Sequence, residues 1–567
     1  MQIKNQLTTP FIDNMDRTCP FAQYPRPMLK RDSFLCLNGE WDFAYSATQP
    51  TLYTEKILVP FCPESQLSGI GRGHEDNELL FYRRRFTLPC GFVKDAVILH
   101  FGAVDQVCKV FINEALVGTN EGGYLPFSFD ITEFLIDGEN EITLIAEDTL
   151  SQIYPYGKQK KKRGGMWYTP VSGIWQTVWL ESLPKAPIKS IKITPTATSV
   201  KIELDTEAIR KKLTLTESGE CFEFEENEIT LTPAEPKKWS PENPYLYKFT
   251  IETDTDKIES YFALREISSK KINGVTRLCL NGEPYLFNGL LDQGYFPDGI
   301  YLPATVEGYK NDILTAKSLG FNMLRKHIKI EPAIFYYLCD SLGITVFQDM
   351  VNNSDYSFIR DTALPTIGLK RISDKKLHKN KASREIFKAH AKETLDLLYN
   401  FPSVLCYTIF NEGWGQFAAD SVYRELKEID RTRIYDATSG WFWQKESDLD
   451  SHHVYFKKLK IKINPEKPVI ISEFGGYSHR CEGHLFGDKN YGYKCFEKQE
   501  DFASALEHLY IDEVLPLVKK GVSALVYTQI SDVEDETNGF LTYDRKVLKI
   551  DAERFSKISK ILRNESL

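Results

Sequence analysis

Pro402-Ser-Val-Leu-Cys-Tyr-Thr-Ile-Phe-Asn-Glu-Gly-Trp-Gly-Gln416 opens with an apolar, β-rich run, Val404 to Phe410, and turns abruptly into Asn411-Glu412-Gly413. A run that short, closed by glycine, reads as one strand buried on both faces. Its exit carries an acid. That is where a parallel barrel presents catalytic groups, at the carboxyl ends of its strands.

Pro468-Val-Ile-Ile-Ser-Glu-Phe-Gly-Gly476 repeats the design, with Glu473 at the exit and glycines behind it. A lone Asn-Glu dipeptide also fits a helix cap or a satisfied rim acid, because short motifs match by chance. Two such exits in order narrow the choice. Glycoside hydrolysis needs this pair: one carboxylate to attack the anomeric carbon and one carboxylic acid to protonate the leaving oxygen, about 5 to 5.5 Å apart when configuration is retained.

Around these stretches, strand-like and helical runs alternate from Lys270 onward, the pattern of a parallel α/β barrel. Eight strands are expected: Tyr285 to Gly289, Phe321 to Arg325, Ile344 to Gln348, Val404 to Phe410, Ile434 to Thr438, Asp450 to Tyr455, Val469 to Ser472 and Ala524 to Gln529. Helices fit at Ala304 to Leu319, Glu331 to Ser341, Ser383 to Tyr399 and Ala418 to Glu428. Glu412 then follows strand four and Glu473 strand seven.

The first 183 residues show no strong helical period; short alternating runs separated by Gly, Asp and Asn turns predict a β-sandwich. From Lys185 to Arg265 the pattern is again alternating and turn-rich, which predicts a second sandwich acting as a scaffold. Between the first sandwich's last strands lies a basic, glycine-flanked loop, Tyr156-Gly-Lys-Gln-Lys-Lys-Lys-Arg-Gly-Gly-Met-Trp-Tyr168. A run of like charge usually faces water. The alternative is a loop that overhangs the barrel mouth.

A chain of 567 residues exceeds one hydrophobic core, so two to four domains are expected. Apolar residues make up 42% and aromatics 13%, enough for well-filled cores. The net charge of −9 has no basic bias, which argues against a nucleic-acid partner. No run of about 18 apolar residues occurs, and Met1 to Pro10 lacks a secretory core, so no membrane is expected. Eleven cysteines without CxxC spacing read as mostly buried thiols of a reducing compartment, giving a cytoplasmic location and no zinc site. The expected partner is a small carbohydrate or glycoside, with the chain itself a homo-oligomer.

Asn411-Glu412 and Ser472-Glu473-Phe474-Gly475 resemble the catalytic strands of glycoside hydrolase family 2, the β-galactosidase and β-glucuronidase family. The likeness runs along nearly the whole chain. It includes Leu37-Asn-Gly-Glu-Trp41, Phe101-Gly-Ala-Val-Asp105, Phe111-Ile-Asn-Glu-Ala-Leu-Val-Gly118, Val171 to Glu181, Trp239 to Tyr247 and Phe262-Ala-Leu-Arg265. The resemblance implies a jelly-roll β-sandwich over 1–183, an immunoglobulin-like β-sandwich over 184–265 and a catalytic (β/α)8 TIM barrel over 266–567. It makes Glu412 the acid/base and Glu473 the nucleophile of a double displacement. Trp41 and Asp105 are then structural.

Further site residues are expected at other strand exits. By the resemblance, Asn411 holds the sugar 2-hydroxyl, and Arg325 keeps the nucleophile ionised, as an adjacent cation does. His327 follows Arg325 at the rim, His453 and Tyr455 end strand six, and Asp292 follows strand one with Gln293 and Asp298. Trp414 and Trp443 are candidates for stacking on a sugar face. No acids show metal-ligand spacing, so no metal is assigned; Mg²⁺ or Na⁺ enters only by family analogy.

For the sugar, two features pull in opposite directions. Glu536-Thr-Asn538 stands where β-glucuronidases carry an Asn-x-Lys motif, and its acid would repel a uronate, which favours a neutral β-galactoside. The Lys158 to Arg163 loop offers positive charge from another side and keeps β-glucuronide as the alternative. Met166-Trp167-Tyr168 also departs from relatives that place a sugar-touching acid there. From a different class, a non-catalytic carbohydrate-binding protein with a decayed barrel would not need both acids with Asn411 and Arg325.

Overall fold

The apolar runs do pair into one parallel sheet. In the computed structural model, which describes residues 7–566 except 371 and only the backbone at 366 and 376, the strands are Phe287–Asp292 (β1), Met323–Lys326 (β2), Thr345–Asp349 (β3) and Val404–Asn411 (β4), then Ile434–Ser439 (β5), Asp450–Val454 (β6), Val469–Gly475 (β7) and Val522–Thr528 (β8). Residues 1–6, part of the stretch without a secretory core, and residue 567, the expected end of the barrel domain, lie outside the described residues. The strand order is β5-β4-β3-β2-β1-β8-β7-β6, and β5 lies beside β6, so the barrel is nearly closed. Every residue of β4 and of β7 is buried, which is why these strands carry continuous apolar runs rather than alternating ones.

Helices Val306–Ser318 (α1), Ala333–Leu342 (α2), Lys381–Leu398 (α3) and Ala419–Ile429 (α4) sheath the barrel. The side chain of Asn380 caps α3 by accepting from Ser383 N at 3.2 Å, and α2 stops at Gly343 in the left-handed region. Among the described residues no helix joins β5 to β6 or β6 to β7; loops make both crossings. An insertion after β7 adds a two-stranded sheet, Tyr477–His479 with Lys494–Phe496.

The amino-terminal end of the barrel is plugged. A hairpin, Ile267–Ile272 with Val275–Leu280, inserts Leu278 and Leu280 against Phe287, Leu291, Met323 and Phe347. A site can therefore open only at the opposite rim.

Two sandwiches precede the barrel. Between residues 34 and 183, a six-stranded and a four-stranded antiparallel sheet face each other over Trp41, Phe43, Leu99, Phe101 and Leu144. Between 190 and 262, a three-stranded and a four-stranded sheet enclose Ile191, Ile202, Leu213 and Phe249. Trp41 donates to Leu37 O at 2.8 Å inside the first core, and Asp105 is buried and accepts from Gln159 at 2.8 Å. The cysteines are all free, but only Cys62, Cys108, Cys279, Cys339 and Cys406 are buried, fewer than the sequence suggests.

The basic loop does not simply face water. Arg163 pairs with Glu534 at 3.4 Å and Asp535 at 3.5 Å, Tyr168 donates its phenol to Glu536 at 2.8 Å, and Thr169 N donates to Glu534 at 2.8 Å. It is laid over the acidic loop that follows β8.

Candidate active site

β4 ends in a backbone turn that L-residues rarely adopt: Glu412 has φ +55° and Gly413 φ +73°. Only glycine fits at 413, where a Cβ would stand 2.0 Å from the Phe442 ring. The turn is pinned by Glu412 N donating to Ser439 O at 3.0 Å and by Trp441 Nε1 donating to Glu412 O at 2.8 Å. Its carboxyl Oε1 then lies 2.8 Å from His453 Nδ1.

β7 supplies the second acid. Glu473 Oε1 accepts from Arg325 Nη1 at 3.2 Å, and Oε2 accepts from the Tyr455 phenol at 2.7 Å and lies 3.4 Å from His453 Nδ1. Ligating atoms of Glu412, His453 and Glu473 all fall within 4.8 Å of one another. An oxygen of each carboxyl thus lies within 4.8 Å of one on the other, close enough for both to reach one sugar carbon, as retention requires.

Different partners give the two acids different proton affinities. Burial pushes the Glu412 carboxyl up to about 7, with Lys158, Arg325 and Lys370 pulling against it. Burial raises Glu473 as well, opposed by His453 and Arg325 and reinforced by Glu412. Arg325 acts in the expected direction, yet desolvation outweighs it. Glu473 nonetheless receives a guanidinium and a phenol, whereas among the described residues Glu412 Oε1 meets the imidazole of His453. Two carboxyls this close do not both ionise cheaply, and these contacts favour Glu412 as the one that holds the proton.

Arg325 organises the floor. Its Nε donates to Asp349 Oδ1 at 2.9 Å, Nη2 to Asn411 Oδ1 at 2.9 Å and Nη1 to Ser472 O at 2.9 Å. The bond to Asn411 orients that amide with its N–H2 group left for a ligand. His327 Nδ1 lies 2.6 Å from Asp349 Oδ2, and burial, then Lys158, holds its pKa down to about 3, so the ring is neutral. Asn411, Arg325, His327, His453 and Tyr455 therefore join the two acids in one cluster.

Four expected residues do not. Asp292 is buried in a separate ion-pair network, 2.7 Å from Lys326, which also pairs with Glu331 at 2.7 Å. Trp414 is 3% exposed, donates to Ser354 O at 3.1 Å and packs edge-on against Tyr156, Trp167 and Tyr356, leaving no open face for a sugar. Trp443 donates to Ser451 O at 2.9 Å and packs on His452, the histidine of β6 that points away from the two acids. Asp298 is likewise structural, accepting from Thr9 N at 2.8 Å.

Sequence reading missed three participants. Asp349 ends β3 with the same strand-exit grammar as the two acids and was findable on that signal. Trp441 sits edge-on to His453 with ring centroids 5.6 Å apart, and Tyr493 stacks on Tyr455 at 4.1 Å; both come from irregular segments with no periodic signal. Lys158, half-buried in the basic loop that the sequence offered as a source of positive charge, lowers the carboxyls of Glu412, Glu473 and Glu536.

The trio Glu412, His453 and Glu473 has metal-ligand spacing, but its surroundings suit a metal poorly. Arg325 already stands 3.2 Å from Glu473 and 3.3 Å from His453 Nε2, and a second cation there would be repelled.

An eight-stranded barrel that sets two facing carboxylates at the exits of its fourth and seventh strands, closed by a loop from a β-sandwich, has the layout of a glycoside hydrolase. Residues 71–184 match the sugar binding domain of glycosyl hydrolases family 2, residues 186–265 match a second glycosyl hydrolases family 2 domain, and 276–545 match the TIM barrel domain of that family. The chain belongs to glycoside hydrolase family 2. A β-galactosidase of Thermoanaerobacter pseudethanolicus is 26% identical, the match covering 72% of this chain and 55% of that protein. A β-galactosidase of Halalkalibacterium halodurans is 24% identical over 87% of this chain and 52% of its own length. The chain thus spans about half the length of these relatives. Among solved structures, β-D-glucuronidase of Dictyoglomus thermophilum superposes with a TM-score of 0.75 at 18% identity, covering 95% of this chain and 98% of that one. A β-galacturonidase of Eisenbergiella tayi superposes with a TM-score of 0.69 at 19% identity, covering 96% and 99%.

Proposed function

We propose that the protein is a retaining exo-β-glycosidase that releases terminal sugars from β-D-glycosides by double displacement. The observation that carries this reading is the pair Glu412 and Glu473, facing each other within 4.8 Å and held in different environments. Glu473, aligned by Arg325 and Tyr455, attacks the anomeric carbon while Glu412 gives its proton to the departing aglycone oxygen. Glu412 then takes a proton from water, which attacks the same carbon and frees Glu473. Asn411, fixed by Arg325, is placed to bind a sugar hydroxyl beside the reacting carbon.

A neutral β-galactoside is the first reading of the glycone. Glu536 stays at the pocket's edge, accepting from Tyr168 at 2.8 Å and Gln529 at 2.9 Å, and offers a carboxyl where a uronate would need a cation. β-Glucuronide remains a second reading because Lys158 directs charge toward Glu412, Glu473 and Glu536. Hydrolysis of nitrophenyl β-galactoside against nitrophenyl β-glucuronide separates the two. Glu473→Gln should abolish turnover of the preferred one while leaving the melting temperature within a few degrees; near-normal activity in that variant sinks the assignment.

A further inference from the structure

His453 occupies the centre of the cluster with its side chain fully buried. Nδ1 lies 2.8 Å from Glu412 Oε1 and 3.4 Å from Glu473 Oε2, while Nε2 lies 3.3 Å from Arg325 Nη1 and 2.9 Å from Ser439 Oγ. A guanidinium has no lone pair to offer, so Nε2 keeps its own lone pair toward it, and the one proton of the neutral ring is on Nδ1. The ring cannot turn away from this post. Ser439 is itself tied to Ser451 at 3.3 Å and Ser472 at 3.0 Å, Trp441 covers one side, and at Gly440 even a Cβ would come within 2.7 Å of the imidazole.

We propose that His453 is a positioning residue whose Nδ1–H is aimed at Glu412 already in the free enzyme, with Glu473 3.4 Å away, and is held there for the charge that Glu412 acquires once Glu473 has bonded to the sugar. The inference rests on the double-displacement reading. In the first step the Glu473 oxygen to carbon bond forms, the bond from that carbon to the aglycone oxygen breaks, and the Glu412 proton leaves with the aglycone. Negative charge disappears from Glu473 and appears on Glu412. A donor already fixed on Glu412 strengthens with that charge without moving, because a hydrogen bond to an ionised acceptor is roughly twice as strong as one to a neutral acceptor. The charged groups around the ring are Glu412 from β4, Glu473 from β7, Arg325 from β2, Asp349 from β3 and Lys370 from the rim. Burial, more than any of these, keeps the imidazole itself uncharged, with a pKa of about 3.

His453→Phe removes the donor, whereas His453→Asn returns an N–H close to the place of Nδ1. Assayed on one glycone with a nitrophenyl and an alkyl leaving group, the Phe variant should lose about 100-fold in kcat/KM on the alkyl glycoside and about tenfold or less on the nitrophenyl one, since only the poor leaving group needs full help from the acid. Both limbs of its pH profile should move up, and Asn should recover about tenfold on the alkyl substrate. Equal losses on both substrates with unmoved limbs, or an Asn variant no better than Phe, overturn the proposal. ¹⁵N NMR of histidine-labelled wild type, with the His453 signal identified by its loss in His453→Asn, should show a neutral ring protonated on Nδ1. Turnover with the proton on Nε2 overturns the inference alone; a wild type that hydrolyses no glycoside overturns the hydrolase reading and this inference with it.

Discussion

Glu412 and Glu473 are the same chemical group, and their neighbours divide the labour between them. Glu412 must carry a proton to act as an acid, and its carboxyl is pushed up to about 7 by burial. The pH profile of kcat/KM should therefore fall on its alkaline side, with a midpoint near that value, because the acid is lost as pH rises through it. Lys158 pulls this carboxyl down, so Lys158→Met should move the alkaline limb upward; a limb that stays in place would remove Lys158 from the pocket. Tyr455 gives Glu473 a hydrogen bond at 2.7 Å, and Tyr455→Phe should slow turnover of an activated glycoside by about tenfold or more, read as a fall in kcat. Both acids were legible in the sequence because each stands at the end of an apolar run. Their unequal proton affinities were not, since these come from His453, Arg325 and Lys158, which reach the acids from other parts of the chain.

Strand registers decide which of these side chains meet. In β6 Ser451 and His453 point inward while His452 points out, and the register with β7 skips between His452 and His453 so that His453 stands opposite Glu473. A one-residue slip would present His452 instead. The sequence His452-His453-Val454-Tyr455 places two histidines at the strand's end and leaves the choice between them open; the bulge makes it. Gly440, after β5, is the matching constraint from the other side. With φ +88° and only 2.7 Å between its virtual Cβ and the His453 ring, Gly440→Ala should displace the imidazole and cost about 10- to 100-fold in kcat, with a smaller change in thermal stability than a core truncation causes. Comparing kcat with the melting temperature distinguishes the two effects. The helices α1 to α4 begin and end within about two residues of the sequence expectation, but the helix-free crossings on either side of β6 carry no periodicity from which their course could be read.

The site is completed from outside the barrel. Arg163, Tyr168 and Thr169 of the first sandwich grip Glu534, Asp535 and Glu536 after β8, so a basic loop that looks merely solvated in sequence is anchored to the acidic loop by one ion-paired arginine and two hydrogen bonds. Cutting this grip with Arg163→Ala plus Tyr168→Phe should raise KM several-fold while changing kcat less, because the loop that carries Lys158 loosens and the two acids stay on the barrel; an unchanged KM would show the overhang to be idle. At the plugged end, Leu280→Ala should lower stability by about 2 to 5 kcal/mol and leave KM unaltered, since its side chain fills the barrel floor far from the rim. Local patterning by itself determined the sandwich and barrel architecture and the two acids, because burial on both faces, strand alternation and an acid after an apolar run are written within a few neighbouring residues. The tertiary structure alone decided that His453 bridges the acids, that Asp292, Trp414 and Trp443 stand outside the cluster, and that the basic loop covers the mouth. These depend on registers and on contacts such as Arg163 to Glu534, between residues 371 positions apart, where the meeting is set by the packing of separate domains and not by any local periodicity.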